Sequence, residues 1–480
     1  MIALTPLNTL AKQQQNPKLP ITLDSRKAGP GIIFIASKGA TPGSKDGHDF
    51  ISQAILNKCA GLIIERPDIQ IPEQIPVWLT QNSRVTAALL AEQAAGYPSK
   101  SLNLCAVTGT NGKTTVTFLL ASIARAFGRK AGVLGTLGSG SVDNLNYFGF
   151  TTPEAENISA LLADFKDQDY TQIAMEASSH ALATHRVDGL VFKAAAFTNL
   201  SQDHLDFHGD LESYLAAKTR LFTELLPKDG VAVIPETSPL APLQNLERGI
   251  IHWGYTHEAD IQASEIKLSD HGTEFKLRIK NQSIQIQSPL FGRFNIDNML
   301  CAAGLAYTTG ISLEAIALGL KQAIIPKGRL ERVSPITPAV FVDFAHTPDA
   351  LEKTLQTLRE ICQGKLILVF GCGGDRDRTK RPQMTQIAGQ YADLVFVTLD
   401  NPRHEDPKQI IADMAPSANM QVILDRQEAI HAAILTAKPE DILLIAGKGH
   451  ETTQQIGDEY RPFDDAKIAY EYLLNRHQNP

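Results

Sequence analysis

Short apolar runs alternate with amphipathic stretches along most of this chain. That rhythm predicts parallel β-sheets flanked by helices. In the first hundred residues the runs 31–36 and 60–64 read as buried strands, separated by polar loops such as 39–47. They predict a small α/β domain over residues 1–98, with Gly96, Tyr97, Pro98, Ser99 and Lys100 as the connection out of it. From 99 to 326, apolar runs at 104–107, 130–134, 173–176, 194–198 and 231–234 alternate with helical patterns such as 116–126. Strand, crossover helix and strand make a parallel sheet. Residues 261–289 instead alternate polar and apolar positions around turn signals at 270–272 and 280–282, the pattern of an antiparallel meander. A second connection is predicted at 325–329. Beyond it the rhythm restarts at 339–344, 366–370, 394–398, 421–424 and 442–446, giving a Rossmann-like domain over 327–480. The expected fold class is α/β in three domains.

Polar segments follow the predicted strand ends, where ligands collect in open α/β sheets. After the strand ending at Val107 come Thr108, Gly109, Thr110, Asn111, Gly112, Lys113, Thr114 and Thr115. Backbone N–H groups in such a loop point at an anion, and Lys113 adds a positive charge. Thr114 supplies a hydroxyl that can ligate Mg²⁺. A standard Walker loop has glycine five residues before Gly112, where this chain has Val107. An ordinary strand-to-helix turn would not require Gly112-Lys113-Thr114-Thr115. Glu176, at the end of the run 173–176, is a natural Mg²⁺ ligand because Mg²⁺ prefers hard oxygens; alone it reads equally as part of a polar loop. Residues 198–209 carry Asp203, His204, Asp206 and His208. No Cys or His pair completes a zinc set, so a role beside ATP and Mg²⁺ fits better, with some of these residues capping the next helix. Lys218 reads, on its residues alone, as a surface lysine of an amphipathic helix.

The third segment repeats the arrangement. Asp343 and His346 follow one strand, and an Asp there can bind ribose hydroxyls. Gly371 to Arg378, Asp400-Asn401-Pro402-Arg403 and Gly447-Lys448-Gly449-His450-Glu451 follow three others. The glycines allow close backbone approach, and arginine suits carboxylate or phosphate bidentately. Each loop alone reads also as a glycine turn with solvated charges.

Composition narrows the class. The chain has 480 residues, 43% hydrophobic and 20% charged, enough for about three globular domains. Net charge is −7 with no long Lys/Arg run, which argues against a nucleic-acid partner. Five scattered cysteines without metal-type pairing fit a reducing compartment. Residues 1–20 hold no apolar signal core, and no apolar run approaches the roughly 20 residues that span a bilayer. The expectation is a cytoplasmic monomer without a membrane partner.

The loop 108–115, Thr151-Thr152-Pro153, Glu176-Ala177-Ser178-Ser179-His180, the 400–403 loop and the 447–451 loop together resemble the Mur ligases over nearly the whole chain. The resemblance implies an N-terminal UDP-binding domain, a central ATP-binding domain and a C-terminal amino-acid-binding domain. It implies an ATP- and Mg²⁺-dependent, ADP-forming ligase of peptidoglycan synthesis. That enzyme would add meso-2,6-diaminopimelate to UDP-N-acetylmuramoyl-L-alanyl-D-glutamate through an acyl phosphate. By the same resemblance Lys113, Glu176, His204 and Lys218 are catalytic, and Lys218 is carbamylated to serve, with Thr114 and Glu176, as a metal ligand. Residues 109–115 with Asn295, Asn298, Arg329 and Asp343 bind ATP. Ser25, Arg26, Thr151, Thr152, Ser178, Thr184 and Arg186 take the muramoyl dipeptide, with Thr184 standing where the family pattern has glutamine. Arg376, Asp400, Asn401, Arg403, Gly447 and Glu451 take diaminopimelate. A lysine-adding relative and folylpolyglutamate synthase are the alternatives; the latter shares the phosphate loop but lacks the 400–403 loop and the UDP domain. A nucleotide-switch binding protein fits neither the shortened loop nor the three-domain length.

Overall fold

The computed structural model describes residues 4–5, 20–39, 44–240, 249–269 and 272–478. The reading of the N-terminal segment as lacking a signal core lies almost wholly outside the described residues, as do the tip of the 39–47 loop and Asp270.

Three α/β units follow one another. The first is a five-stranded parallel sheet in the order Leu4–Thr5, Val77–Leu79, Gly61–Ile64, Ile33–Ile35, Ile21–Thr22. Its inner strands read as unbroken apolar runs because helices cover both faces of a parallel sheet. Phe34, Ile35, Leu62, Ile63 and Ile64 are all fully buried. The central sheet has eleven strands. Six parallel ones form its middle, in the order Gly249–Gly254, Val231–Pro235, Ala194–Phe197, Asn103–Thr108, Gln172–Glu176, Ala131–Gly135. Ile261–Ser269, Gly272–Ile279 and Gln282–Ser288 extend one edge as the expected antiparallel meander. The other edge carries Gly138–Ser141 and Asn144–Asn146, which pair antiparallel. The third unit orders its six strands Glu331–Arg332, Ala339–Asp343, Ile442–Ala446, Leu366–Cys372, Leu394–Leu399, Gln421–Val422, all parallel but the first.

The first predicted connection is a built joint. Residues Pro98–Ser101 form a 3₁₀ turn, entered through Tyr97 in the left-handed region. Buried Glu92 accepts hydrogen bonds from the Ser99 N–H (2.9 Å) and hydroxyl, and from the Ser159 hydroxyl (3.3 Å) of the next unit. Burial raises its pKa above the ordinary glutamate value. The second connection enters the cleft described below. Gly328 takes φ +64 against the backbone of Gly449 and His450, where no side chain would fit.

No helix among the described residues is long and apolar enough to cross a membrane. The helix Lys113–Ala126 follows the phosphate loop, and its eleven residues from Thr114 to Ala124 are all buried, packed against the helices Arg293–Thr308 and Leu313–Lys321. Gly319 makes that packing close: a Cβ there would run into the Cα of Ile123. Gly319→Ala gains roughly 1 kcal/mol of helix propensity but overpacks backbone against backbone, which costs about 1–3 kcal/mol or more. We expect a net fall in the thermal midpoint of the nucleotide-binding unit; a raised midpoint would show that the two helices are free to separate.

Candidate active site

The phosphate loop sits at the carboxyl end of the middle strand Asn103–Thr108. Gly112 adopts φ +87, and a Cβ there would strike the Asn298 amide, so glycine lets the loop touch the helix Arg293–Thr308. Lys113 Nζ donates to the carbonyls of Gly109 (3.0 Å) and Thr110 (2.8 Å). Lys218 Nζ donates to the same Gly109 carbonyl at 2.8 Å and lies 4.2 Å from the centroid of the Tyr214 ring. The surface-lysine reading of Lys218 is therefore corrected: the side chain is buried, together with Tyr214 one turn earlier on the same face of Leu211–Arg220. Burial, and then the charge of Lys113, push the Lys218 amine well below its ordinary pKa. Burial also lowers Lys113, against the pull of Glu176 and Asp203.

Glu176 is held by three donors. Its Oε1 accepts from the Thr114 hydroxyl (2.9 Å) and the Thr136 N–H (2.9 Å), and its Oε2 from the Thr136 hydroxyl (3.1 Å). A hydroxyl and a carboxylate within hydrogen-bond reach, beside a phosphate loop, form a hard-oxygen set of the kind Mg²⁺ takes. Thr136 also reaches Thr151 (3.0 Å), which joins the expected muramoyl-peptide residues to this carboxylate. Thr152 donates to the Glu176 carbonyl (2.8 Å) and accepts from the Ser178 N–H (3.1 Å), and Arg186 donates to the Thr152 carbonyl (2.8 Å). Ser178 caps the helix Ser179–Ala183. Thr184 spends its hydroxyl on the His180 carbonyl of that helix (2.7 Å). Ser25 and Arg26 lie in the turn after the edge strand Ile21–Thr22 of the first unit, where Arg26 pairs with Asp24 at 2.8 Å. Neither bonds to Thr151, Thr152, Ser178 or Arg186 among the described residues.

His204 begins the short helix Leu205–His208 from a left-handed backbone, φ 55. Its ring packs on His180 (centroids 4.7 Å), which also meets His208 (5.7 Å). Burial drops all three imidazoles to a pKa of about 4. No described group of three or more His, Cys, Asp or Glu could hold a metal by itself.

The third unit closes one side of a cleft over the loop. Asn111 Nδ2 donates to Asp349 Oδ2 (3.1 Å), and Arg329 reaches the Thr114 hydroxyl (3.5 Å). One cavity is lined by Asn111, Gly112, Thr115, Asn295, Asn298, Arg329 and Asp343, seven of the expected nucleotide residues. Phe344 also lines it and carries the Arg329 guanidinium 4.7 Å over its ring. Burial raises Asp343 to a pKa of about 6, against Arg329 and the Leu330 N–H (2.6 Å).

The expected amino-acid residues gather at the neighbouring strand ends. Arg403, in the left-handed region at φ 52, donates to the Gly374 carbonyl at 2.6 Å. Burial, with Arg376 close by, lowers its pKa from the ordinary arginine value. Asn401 Nδ2 donates to Glu451 Oε2 (2.8 Å). Gly447, φ +114, leaves room for Asp400, whose Oδ2 would lie 2.7 Å from a Cβ there. Residue reasoning passed over Lys448 as a site group. It is fully buried and donates to Asn401 Oδ1 (3.0 Å), Glu451 Oε2 (3.0 Å) and the Thr453 carbonyl (2.7 Å). Thr136 was passed over too, since a single threonine in a glycine-rich stretch carries no pattern.

A phosphate loop on a central sheet, facing a Rossmann-like unit across one cleft, is the architecture of a three-domain ligase. The chain belongs to the Mur ligase family. Residues 107–306 match the Mur ligase middle domain, and 328–449 match the Mur ligase, glutamate ligase domain. The UDP-N-acetylmuramoyl-L-alanyl-D-glutamate--2,6-diaminopimelate ligase of Bacillus cereus is 39% identical over 478 residues, covering 97% of this chain and 96% of that one. The ligase of the same name from Syntrophomonas wolfei is 42% identical over 466 residues, covering 95% and 94%. A solved structure of a ligase with that name superposes with a TM-score of 0.70 at 36% identity, covering 96% of both chains. Folylpolyglutamate synthase of Mycobacterium tuberculosis shares the fold alone, with a TM-score of 0.63 at 18% identity over 82% of this chain and 94% of its own.

The site sets two opposite pH dependences. His180, His204 and His208 fall from 6.5 to about 4 on folding, so the unfolded chain binds more protons between those values, and their contribution to stability is lost as pH falls through that window. Asp343 rises from 3.8 to about 6, so the folded chain binds the proton, and its contribution is present at low pH and lost as pH rises through about 6. Between pH 7 and pH 5, His180→Asn should therefore lose less stability than the parent chain, and Asp343→Asn more. Urea midpoints at the two pH values check both; equal shifts in all three proteins would contradict the assignment.

Proposed function

We propose that this chain joins an amine of meso-2,6-diaminopimelate to the D-glutamyl carboxylate of UDP-N-acetylmuramoyl-L-alanyl-D-glutamate. ATP is cleaved to ADP and phosphate, as a cytoplasmic step of peptidoglycan synthesis. Residues 1–98 bind the UDP end, 99–326 bind ATP, and 327–480 bind the amino acid. The observation that supports this reading is the cleft spanned by Asn111–Asp349 and Arg329–Thr114, where the phosphate loop meets the C-terminal unit.

The carboxylate oxygen attacks the γ-phosphorus as the bond to ADP breaks, giving an acyl phosphate. The amine then attacks the acyl carbon, loses a proton, and phosphate departs. Lys113 neutralises charge on the transferring phosphoryl group, and the loop N–H groups orient it. Thr114 and Glu176, with Lys218 once carbamylated, would hold Mg²⁺, which when bound shields charge between the phosphates. Thr136 bridges Glu176 to Thr151, so the acceptor carboxylate is positioned next to the phosphate site.

Arg403 and Arg376 give the C-terminal loops a carboxylate reader. Diaminopimelate carries a distal carboxylate, which L-lysine lacks, and a guanidinium can bind it through two parallel bonds. The parent protein is expected to release ADP only when both the UDP-muramoyl dipeptide and diaminopimelate are present. Arg403→Ala should raise KM for diaminopimelate by about tenfold or more and narrow the preference over lysine, since charge-assisted bonds contribute about 1.5–3 kcal/mol. An unchanged ratio of kcat/KM for the two amino acids would remove Arg403 from that role.

Lys218 is suited to carbamylation because CO₂ reacts with the neutral amine, and burial beside Lys113 favours that form. The product is an anionic oxygen ligand in place of a cation. Activity of protein stripped of CO₂ should rise on adding bicarbonate. Lys218→Ala should retain about 1% of activity or less, partly restored by short carboxylates. A fully active alanine variant would sink the idea.

A further inference from the structure

Arg426 lies outside every motif named above and is fully buried. It opens the helix Arg426–Thr436. Its Nε and one terminal nitrogen fork onto Asp465 (2.8 and 2.7 Å), the first residue of the C-terminal helix, and that carboxylate is fully buried too. The same terminal nitrogen donates to the Ala446 carbonyl (3.0 Å), and the other reaches the Leu399 carbonyl (3.5 Å).

Those two carbonyls are not on neighbouring strands. Ala446 ends Ile442–Ala446 and Leu399 ends Leu394–Leu399, with Leu366–Cys372 between them. One guanidinium thus straps together two strand ends across a third. The residues immediately following are Gly447 to Glu451 and Asp400 to Arg403, the two loops that share the Asn401–Glu451 and Asn401–Lys448 bonds. The ladders relate those loops only through the strand between, because the strands that carry them do not pair with each other. A rigid planar fork adds the direct link, since all its donors are fixed relative to one another.

We propose that Arg426, held by Asp465, is a positioning residue for the amino-acid subsite: it fixes the distance between the 400–403 and 447–451 loops so that both engage one bound amino acid. This rests on reading those loops as the diaminopimelate site. Asp400 and Glu451 also add to the negative surroundings that keep Arg426 charged, so the strap and the loops are electrostatically coupled.

Arg426→Lys tests it. A lysine keeps the charge opposite Asp465 but cannot fork to both carbonyls while holding the carboxylate. Steady-state kinetics should show KM for diaminopimelate raised about tenfold or more, as for ångström-scale misplacement of binding groups. KM for ATP and for the UDP-muramoyl dipeptide should stay within about twofold, the scatter expected for distant independent sites. A parent protein that shows no saturation with diaminopimelate would overturn the substrate reading itself. A parent that saturates, with an Arg426→Lys variant whose three KM values move together or stay put, would overturn the positioning role alone. If Arg426→Lys does not fold, Asp465→Asn decides the matter. It loosens the fork without emptying the site and should raise KM for diaminopimelate selectively; an unselective change overturns the role.

Discussion

Two lysine amines converge on one backbone carbonyl at the heart of this molecule. Lys113 and Lys218 both donate to Gly109 O, at 3.0 and 2.8 Å. Placing two potential ammonium groups on a single dipole in a desolvated site is unfavourable unless something balances them. The chain offers two answers. One amine can give up its proton, and burial pushes Lys218 that way. The other answer is negative charge delivered from outside, and a loop of backbone N–H groups at a helix N-terminus is where a phosphate would bring it. The catalytic roles proposed for the two lysines draw on that imbalance.

The rest of the site is arranged around keeping the imbalance in place. Glu176 could collapse onto a lysine, yet Thr114 and Thr136 occupy its two oxygens with three bonds. Asp203 stands near both; burial alone would raise it, and His204, His346, Lys380 and Lys113 around it hold its carboxyl below the usual range. The cleft is bridged by the Asn111–Asp349 bond (3.1 Å) and the Arg329–Thr114 contact (3.5 Å), and beside it Arg293 pairs with Glu360 (3.7 Å) and Phe291 packs on Phe341 in the core of the third unit.

Much of this was legible in residue order, and what was not has physical reasons. The phosphate loop, the 400–403 loop and the 447–451 loop are contiguous, so their chemistry is written in neighbouring letters. The parallel core strands were legible because burial on both faces makes each an unbroken apolar run. Gly138–Ser141 and Asn144–Asn146 carry no such run: they are edge strands of glycine, serine and asparagine with Leu145 as their one apolar residue. Lys218 misleads because its helix looks amphipathic with lysine on the wet side. Tyr214, four residues earlier, was the available sign, since i and i+4 share a face and a tyrosine there points inward. Thr136, Lys448 and Arg426 act through partners 40, 47 and 39 residues away. Only the folded topology brings those partners together.

The two halves of the cleft handle charge in opposite ways, as the ligands proposed for them would require. On the phosphate side the buried lysines Lys113 and Lys218 bond to backbone carbonyls. On the amino-acid side every deeply buried cation is matched. Arg381 holds Glu405 (3.0 Å) and Asp413 (2.7 Å) while donating to the Gly373 carbonyl (3.0 Å). Lys448 holds Glu451 at 3.0 Å, and Arg426 holds Asp465 at 2.7 Å. Buried pairs of this kind contribute little net stability, because desolvation offsets their attraction. Their value here is geometric. A polyphosphate brings several negative charges and can complete an unbalanced cationic site on arrival. An amino acid with equal numbers of amines and carboxylates brings no net charge. Its site must be neutral and rigid beforehand, and must recognise by position rather than by total charge. Matched ion pairs beneath two strand ends that do not pair with each other are a means of building such a site.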